Sequence, residues 1–416
     1  MTQPLVADGR RKFLGVSANV FFLGLVSLLT DISSELIFTL VPLFLENVLG
    51  ASTTIVGLVG GISDSADATF RIFSGWVSDK IGKRKLLAGL GYSLSNVVKP
   101  LMYWANIWGV GAVTAIRFGD RVGKGVRTSS RDALIADSVT ADQRGKGFGL
   151  HRAMDTSGAV IGLLIAALIV YVVEGTKTID LSKVGYHRMV IVGFFPGLLA
   201  IIVLLTLVRE KKREKAAAAQ GAAPAIKTPF SNQFKLYLAV SSLFTLGNSS
   251  DFFLILKAQN VQTPLFQVCL MLVLFNLTYS VIALPMGMLS DKLGRRRILI
   301  FGWFVYGLAY TGFALASHVW QVWLLFGFYG LYYGITEGAA KAFVADMVPA
   351  ERRGMAYGLY NGVTAFMALA ASLIAGWVWQ HINPAATFYI GAGLALLAMA
   401  GILFIVKERP LQLRGA

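Results

Sequence analysis

The sequence predicts an all-α polytopic membrane protein with twelve transmembrane helices, arranged as two six-helix halves related by pseudo-symmetry. Mostly apolar segments recur along the whole chain, and each reaches about 20 residues, the length a helix needs to cross a bilayer. Of the 416 residues, 56% are apolar and only 14% are charged, whereas soluble proteins carry roughly 25% charged residues. A cationic segment between two apolar runs also occurs twice, once in each half.

The apolar runs define the predicted spans. In the first half they lie near residues 14–46, 53–79, 86–106, 108–139, 143–174 and 187–208. In the second half they lie near residues 231–258, 263–290, 298–317, 319–347, 353–381 and 385–407. The first run is too long for a signal peptide and lacks a cleavage pattern, so we expect it to remain as a helix.

The composition between the two sets of spans predicts a linker. Residues 209–229 are charged, then rich in alanine, and end with proline. This composition is typical of a flexible connector, and a basic patch that binds lipid is the alternative. The predicted domains are therefore residues 1–208, the cytoplasmic linker 209–229, and residues 230–416.

Lysine and arginine are distributed unequally between the two sides of the predicted bundle. One side holds mainly Lys177, Lys183 and Arg188. The other side holds cationic clusters at residues 10–12, 83–85, 144–146, 209–215, 295–297, 352–353 and 407–409. By the positive-inside rule this second side is cytoplasmic. We therefore expect both termini and the linker in the cytoplasm and the protein in the cell (inner or plasma) membrane.

The two cationic hinges join the second span of each half to the third. One reads GWVSDKIGKRK from Gly75, and the other reads GMLSDKLGRRR from Gly287. Each contains an acid near a helix end, a glycine turn and a cationic triplet. Other short matches follow the same order in both halves, such as Ser33-Ser34-Glu35 with Ser249-Ser250-Asp251 and Ala136-Asp137 with Ala345-Asp346. Duplication of this kind indicates two similar halves.

Both hinges fit the pattern G-x-x-x-D-[RK]-x-G-[RK]-[RK]-[RK], and over essentially its whole length the chain resembles the major facilitator superfamily of secondary transporters. The resemblance implies that superfamily's fold. A second motif of the superfamily, R-F-L-Q-G-x-G-x-G, is recognisable at residues 117–125. It departs from the pattern at Asp120, Arg121 and Lys124.

The drug-antiporter signature of the fifth span is altered as well. Gly158 and Gly162 are present, but Leu163 stands where the signature has proline. This departure argues against a drug/proton antiporter. Residues 117–137 resemble a prokaryotic branch of the superfamily from which no substrate can be carried over.

Charged residues within the predicted spans concentrate in the first half. Each costs a few kcal/mol to insert, so such residues usually face a cavity or one another. The candidates for proton coupling near the midplane are Asp31, Glu35, Asp64, Asp67, Arg117 and Asp120. A buried carboxylate beside a movable cation is a usable proton carrier. The alternative is that Arg117 only neutralises Asp31 or Asp64 and holds helices in place.

The second half is polar and aromatic rather than ionic, so we expect it to shape the substrate pocket while the first half handles protons. The substrate-binding candidates are Lys99, Asn248, Asp251, Asn276, Tyr279, Tyr333, Glu337 and Lys341. The aromatic residues that either line this pocket or pack in the bundle are Phe252, Phe253, Tyr329, Tyr332 and Tyr333.

Residues near the hinges are predicted to gate the cytoplasmic side, because an acid at a helix end can pair with cations or with the positive end of another helix. The gating candidates are Gly75, Asp79, Gly82, Arg84, Arg131, Asp137, Gly287, Asp291, Gly294, Arg296 and Asp346. For Arg131, Asp132 and Asp137 a latch or a scaffold role is expected. Arg152 and Asp155 are expected to form an internal pair.

Several functional classes are excluded on the sequence. The single Cys269 and four scattered histidines argue against a metal site, and Gly123-Lys124-Gly125 lacks the spacing of a phosphate-binding loop. We therefore expect neither an enzyme nor a cofactor. The net charge of +16 would suit nucleic acid, but its cations cluster in short loops, so nucleic acid is rejected.

Residues and resemblance together predict a proton-coupled secondary transporter that works by alternating access and is driven by the proton gradient. We expect it to move a small charged or zwitterionic organic solute, with export by antiport. The alternatives are a proton symporter that imports a metabolite and a non-transporting membrane receptor or scaffold. The expected partners are the substrate, protons and the lipid bilayer, and the expected state is a monomer.

Overall fold

The structure, a computed structural model, describes residues 12–13, 16–81, 83–139, 144–209, 230–349 and 353–406. The predicted fold class is confirmed, because helices form two six-helix halves. Ahead of the first helix, strands β1 (Lys12–Phe13) and β2 (Val16–Ser17) pair in an antiparallel hairpin. The linker prediction falls on residues 210–229, which lie outside the described residues.

The first half contains eight α-helical segments that build six membrane-crossing units. They are α1 (Ala18–Phe38), α2 (Val41–Leu43), α3 (Thr53–Ile81), α4 (Arg84–Val98), α5 (Ala105–Trp108), α6 (Val110–Asp137), α7 (Arg144–Val173) and α8 (Lys183–Thr206). A π-helical turn (Phe44–Val48) continues α2, and a 3₁₀ segment (Lys99–Trp104) joins α4 to α5. The third unit therefore runs from α4 to α5 without a gap, and the first unit combines α1, α2 and the π-helical turn.

The second half contains seven helices that build the other six units. They are α9 (Asn232–Gly247), α10 (Phe252–Asn260), α11 (Leu265–Leu293), α12 (Arg295–Leu315), α13 (Val319–Met347), α14 (Arg353–His381) and α15 (Pro384–Phe404). The first unit of each half is interrupted, at residues 39–40 and 248–251. The repeated Ser-Ser-acid sequence lies close to both interruptions, so the internal repeat coincides with a shared irregularity.

Eight of the twelve units are long and apolar enough to cross a membrane by length and composition alone. The other four are α3, the α4–α5 unit, α6 and α13. Helices α3 and α6 carry many of the charged residues, and α6 packs against both α3 and α4 inside the first half. These charges lower the mean hydropathy of α3 and α6. Both helices can still lie within the bundle, because their polar faces pack against other helices rather than lipid.

The two halves meet along two helix pairs, α3 with α14 and α7 with α11. Glycine permits the close approach of the first pair, because a Cβ atom at Gly376 would lie 2.6 Å from the carbonyl oxygen of Thr53. Small residues at such crossings allow backbones to come together. The cavity described next lies between these two seams.

Candidate functional site

A cavity of about 230 Å³ lies between the two halves. Helices α1, α6 and α7 line it from the first half, and the α9–α10 interruption, α10 and α11 line it from the second. Its residues are Asp31, Ser34, Glu35, Phe38, Thr39, Arg117, Asp120, Arg121, Lys124, Leu163, Asp251, Phe252, Ile255, Leu272, Phe275 and Asn276. Pockets for drug-sized ligands measure roughly 300–1,000 Å³, so this space suits a smaller solute.

Helix α6 presents three cations to the cavity. Arg117, Arg121 and Lys124 follow one another at steps of four and three residues, which places them on one helix face. Arg117 is only 2% exposed, and its guanidinium carbon lies 4.6 Å from the ring centre of Phe38 and 5.5 Å from that of Phe252. Within the described chain, its Nε and Nη1 atoms have no hydrogen-bond partner.

The acids of the cavity, in contrast, have neighbours of their own. The Ser95 hydroxyl donates to Asp120, and the Tyr329 hydroxyl donates to Asp251 at 2.7 Å. The Thr39 hydroxyl donates to Glu35 at 2.5 Å. Each of these carboxylates is therefore held by a hydroxyl group supplied by the protein.

Asp31 lies beside Arg127 and not beside Arg117. Arg127 Nη2 is 4.0 Å from Asp31 Oδ1, and Arg127 Nη1 donates to the Ser95 hydroxyl at 3.2 Å. The structural pairing of Arg117 with Asp31 or Asp64 that the sequence suggested is absent from the described ion pairs. Arg127 was missed, although it continues the cationic face three residues after Lys124.

The charged network continues from Asp31 toward the end of the bundle that holds residues 83–84 and 293–295, which we call the hinge face. Arg131 lies 2.9 Å from Asp132 and 4.0 Å from Asp155, and it donates to the Ser27 hydroxyl at 3.3 Å. Ser27 in turn lies 2.9 Å from Nε2 of the buried His151. His151 was not singled out from the sequence, because nothing in its spacing indicates these partners.

Six of the eight proposed substrate contacts are not part of the cavity lining, and three of them, Lys99, Asn248 and Tyr333, lie behind its wall. Lys99 is 1% exposed, and its Nζ donates to Asn96 at 3.1 Å and to the Thr30 carbonyl at 3.4 Å. The Asn248 amide donates to the Tyr332 hydroxyl at 3.3 Å. The Tyr333 ring packs 5.4 Å from that of Phe275. These residues support the wall from behind, whereas Asp251 and Asn276 belong to the lining as predicted.

The aromatic residues divide between lining and packing. Phe252 faces the cavity, whereas Phe253, Tyr329 and Tyr332 are buried. Tyr329 packs against Tyr310 and Tyr332, with ring centres 6.1 and 5.6 Å apart. Of the predicted aromatic lining, Phe252 is thus the member that the structure places at the cavity.

The two acids predicted on α3 also lie apart from the lining. Asp64 is exposed, and Asp67 pairs with Arg71 on its own helix, with Oδ2 and Nη2 2.9 Å apart. Their position on α3 therefore does not bring them to Arg117 within hydrogen-bond distance.

Arg152 connects the two halves on the hinge side of the cavity. It donates to the Tyr279 hydroxyl, which itself donates to Glu337, and Arg152 Nη2 lies 3.6 Å from Glu337 Oε2. Lys341 also contacts Glu337 at 2.8 Å. The predicted pairing with Asp155 is present at 3.7 Å. We call Arg152, Tyr279 and Glu337 the Arg152 bridge.

The opposite end of the bundle, the far face, is closed by several contacts between the halves. The Leu265 amide donates to the Thr178 carbonyl at 2.8 Å. The Gln259 amide donates to Asp180 at 2.8 Å, and the Thr54 hydroxyl donates to Gln380 at 2.7 Å. The contacts of Thr178 and Asp180 involve residues of the loop between α7 and α8, so they can separate without unfolding a helix.

The described gating candidates make contacts inside one half. Arg84 donates to Asp137 and so ties α4 to α6. Arg295 contacts Asp291 and lies 3.6 Å from Asp346. Arg296 donates to the Ile402 carbonyl at 3.0 Å. Among the described contacts, the Arg152 bridge joins the halves on this side, and the latch at Asp79 and Asp291 stays a prediction.

The remaining gating candidates are glycines, or their side chains lie outside the described residues. Gly75 lies within α3 and Gly287 within α11. Gly294 has φ of 95°, a conformation that favours glycine, so it allows the abrupt turn from α11 to α12. Gly82 and the side chain of Asp79 lie outside the described residues.

The sequence of this chain is similar to those of known membrane transporters. The sequence profile of the Major Facilitator Superfamily matches residues 23–263 and 252–415. An MFS-type transporter of Methanocaldococcus jannaschii is 35% identical over 399 residues, which cover 94% of this chain and 95% of that protein. The multi-drug resistance efflux pump PmrA of Streptococcus pneumoniae is 24% identical over 376 residues, covering 87% of this chain and 89% of the pump.

Solved structures give the same overall fold. The nucleoside transporter NupG aligns with a TM-score of 0.73 at 13% identity, covering 93% of this chain and 100% of that one. A D-xylose-proton symporter also aligns with a TM-score of 0.73, at 15% identity, covering 94% of this chain and 98% of that one. At these identities the likeness concerns the fold alone.

Proposed function

The chain belongs to the major facilitator superfamily of membrane transporters, and from that premise we propose that it is a proton-coupled antiporter that exports a small charged or zwitterionic organic solute. The hinge face is then the cytoplasmic face of the cell membrane, in agreement with the positive-inside rule. The efflux pump of Streptococcus pneumoniae, similar over most of the chain, supports export.

The observation that carries the proposal is the position of Asp31. This acid faces the cavity between the halves and has a cation, Arg127, 4.0 Å away. Protonation of Asp31 would remove its attraction for Arg127, and deprotonation would restore it. An acid that loses its proton as a solute arrives, and regains it as the solute leaves, links the two flows.

The contacts between the halves suit alternating access. The far-face contacts and the Arg152 bridge lie on opposite sides of the cavity, so each can act as a barrier while the other opens. Rocking of two halves about a midplane site is the usual mode of transport in such folds. In the cycle that we propose, solute binding favours one closed barrier and proton binding favours the other.

Asp31→Asn should abolish solute-driven proton movement while leaving solute binding partly intact, because asparagine keeps the size of the side chain but cannot carry a proton. The measurement uses purified protein in vesicles with a trapped pH dye, with anions, cations, zwitterions, sugars and lipophilic compounds added outside. Glu174→Gln is the matched control, since Glu174 contacts Ser182 outside the cavity. Undiminished proton movement in Asp31→Asn would refute the coupling role.

The same experiment separates the second candidate, a proton symporter that imports a metabolite. The same cavity and carboxylate support it. Solute entering together with protons acidifies the lumen, whereas exchange of entering solute for lumenal protons makes the lumen alkaline. The sign of the dye signal therefore distinguishes symport from antiport, and binding without any signal would favour the receptor or scaffold alternative.

A further inference from the structure

The cavity contains unmet hydrogen-bond donors on one side chain. Arg117 is almost fully buried, and its Nε and Nη1 atoms have no partner in the described part of the chain. A buried donor without an acceptor costs about 1–3 kcal/mol, and more when it is charged. An acceptor that enters the cavity and reaches the Arg117 guanidinium would therefore remove this free-energy penalty.

The acids that line the cavity do not supply this acceptor. Asp120 accepts from Ser95, Asp251 accepts from Tyr329, and Asp31 lies nearest Arg127. Arg121, one turn along α6, likewise has a buried Nε without a partner in the described residues. The cavity thus contains guanidinium N–H groups that lack an acceptor, and an oxygen atom of a solute could fill that role.

The surroundings of Arg117 specify more than polarity. Phe38 from the first half and Phe252 from the second half both lie within 5.5 Å of its guanidinium carbon, so their rings hold the group in place. Ile255, Leu272 and Phe275 add apolar surface to the same cavity. A solute with one charged oxygen group and an apolar body would contact both kinds of surface.

We infer that the transported solute is a small organic acid whose oxyanion, a carboxylate or a phosphate, binds the guanidinium of Arg117 while its apolar part packs beside Phe252 and Phe275. The inference rests on the proposed transport function and narrows its substrate class. Guanidinium groups bind both oxyanions through paired hydrogen bonds. Because Phe38 and Phe252 come from different halves, the bound oxyanion would sit where the halves meet.

The test measures thermal stabilisation of the purified full-length protein in detergent by matched pairs of compounds. Benzoate with benzamide and hexanoate with hexanamide form the carboxylate arm. Phenyl phosphate with phenol, and inorganic phosphate alone, form the phosphate arm. At least one organic acid should raise the melting temperature while its neutral partner does not, and the responding arm identifies the oxyanion.

Variants then assign the effect to Arg117. Arg117→Gln should weaken binding of the stabilising acid by about tenfold or more, and Arg117→Lys should weaken it less because the charge remains. Arg71→Gln is the matched control, since Arg71 pairs with Asp67 on its own helix and is not part of the lining. The comparison of each acid with its neutral partner uses the unaltered protein, so it remains informative even if a variant fails to fold.

The proposal is overturned if no acid stabilises the protein, if neutral partners stabilise it equally, or if Arg117→Gln binds the acid as well as the unaltered protein does. These outcomes are distinct from failure of the proposed function, because binding in detergent needs no proton gradient. A cationic solute that drives proton movement in vesicles would preserve the transport proposal and refute this inference.

Discussion

At the residue scale, Arg127, which the sequence pattern did not select, links two acids that face the cavity. It is 4% exposed and contacts Ser95, which also holds Asp120, while its second nitrogen faces Asp31. Its ring contact with Tyr92, at 4.7 Å, fixes the guanidinium from the other side. One buried cation therefore positions two of the acids that face the cavity.

Arg127→Gln should destabilise the protein by about 1–3 kcal/mol, because it removes a charged donor from buried polar partners. The measurement is the melting temperature in detergent. The double variant Asp31→Asn/Arg127→Gln should lose less stability than the two single variants lose in sum, since both members of the pair are removed together. Strictly additive losses would show that Arg127 and Asp31 do not interact.

At the element scale, the two glycines of the second cationic hinge, Gly287 and Gly294, differ in what the backbone requires of them. Gly287 lies inside α11, and a Cβ atom there would meet no neighbour within 4 Å. Gly294 ends α11 with φ of 95° and ψ of 143°, outside the region that other residues adopt easily. The motif therefore contains one glycine required by backbone conformation and one that is not.

Gly294→Ala should destabilise the protein by about 1–3 kcal/mol, the cost of forcing an alanine into that conformation. Gly287→Ala, the matched control in the same hinge, should be neutral or slightly stabilising, because alanine favours a helix interior by about 0.5–1 kcal/mol over glycine. Thermal melts of both variants in detergent provide the measurement. Equal losses at the two positions would contradict the conformational explanation.

At the scale of the whole molecule, the contacts between the halves are unequal at the two faces. The far face is closed by main-chain and side-chain contacts at loops and helix ends, whereas the described ion pair between the halves, on the hinge side of the cavity, is made by Arg152. Its partners Tyr279 and Glu337 lie on α11 and α13. Arg152 is therefore placed to bias the equilibrium between hinge-open and hinge-closed states.

Arg152→Gln should shift that equilibrium toward the hinge-open state by about fivefold, because a partly exposed ion pair contributes about 1 kcal/mol. Electron–electron distance measurements between spin labels at Phe148→Cys and Met355→Cys, both exposed near the hinge face, should show more of the longer distance. Lys341→Gln is the control, since it removes a partner of Glu337 within one half. Unchanged distances in Arg152→Gln would exclude the bridge as a barrier.

The amino-acid sequence by itself determined the helical class, the two halves, the hinges and the cationic face of α6. These features depend on hydropathy, on periodicity and on residues close together in the chain, so they can be read locally. Asp31, Glu35, Arg117, Asp120, Asp251 and Asn276 were accordingly predicted as site residues, and the structure places all of them at one cavity.

Only the tertiary structure decided which charges meet. Arg127 rather than Arg117 faces Asp31, Lys99 lies behind the wall, and Arg152 reaches across to the second half. Spacing along a helix specifies a face of that helix, but the partner of that face depends on how neighbouring helices rotate and pack. Which helix faces meet depends on contacts between residues far apart in the chain, and a local sequence pattern cannot predict these contacts.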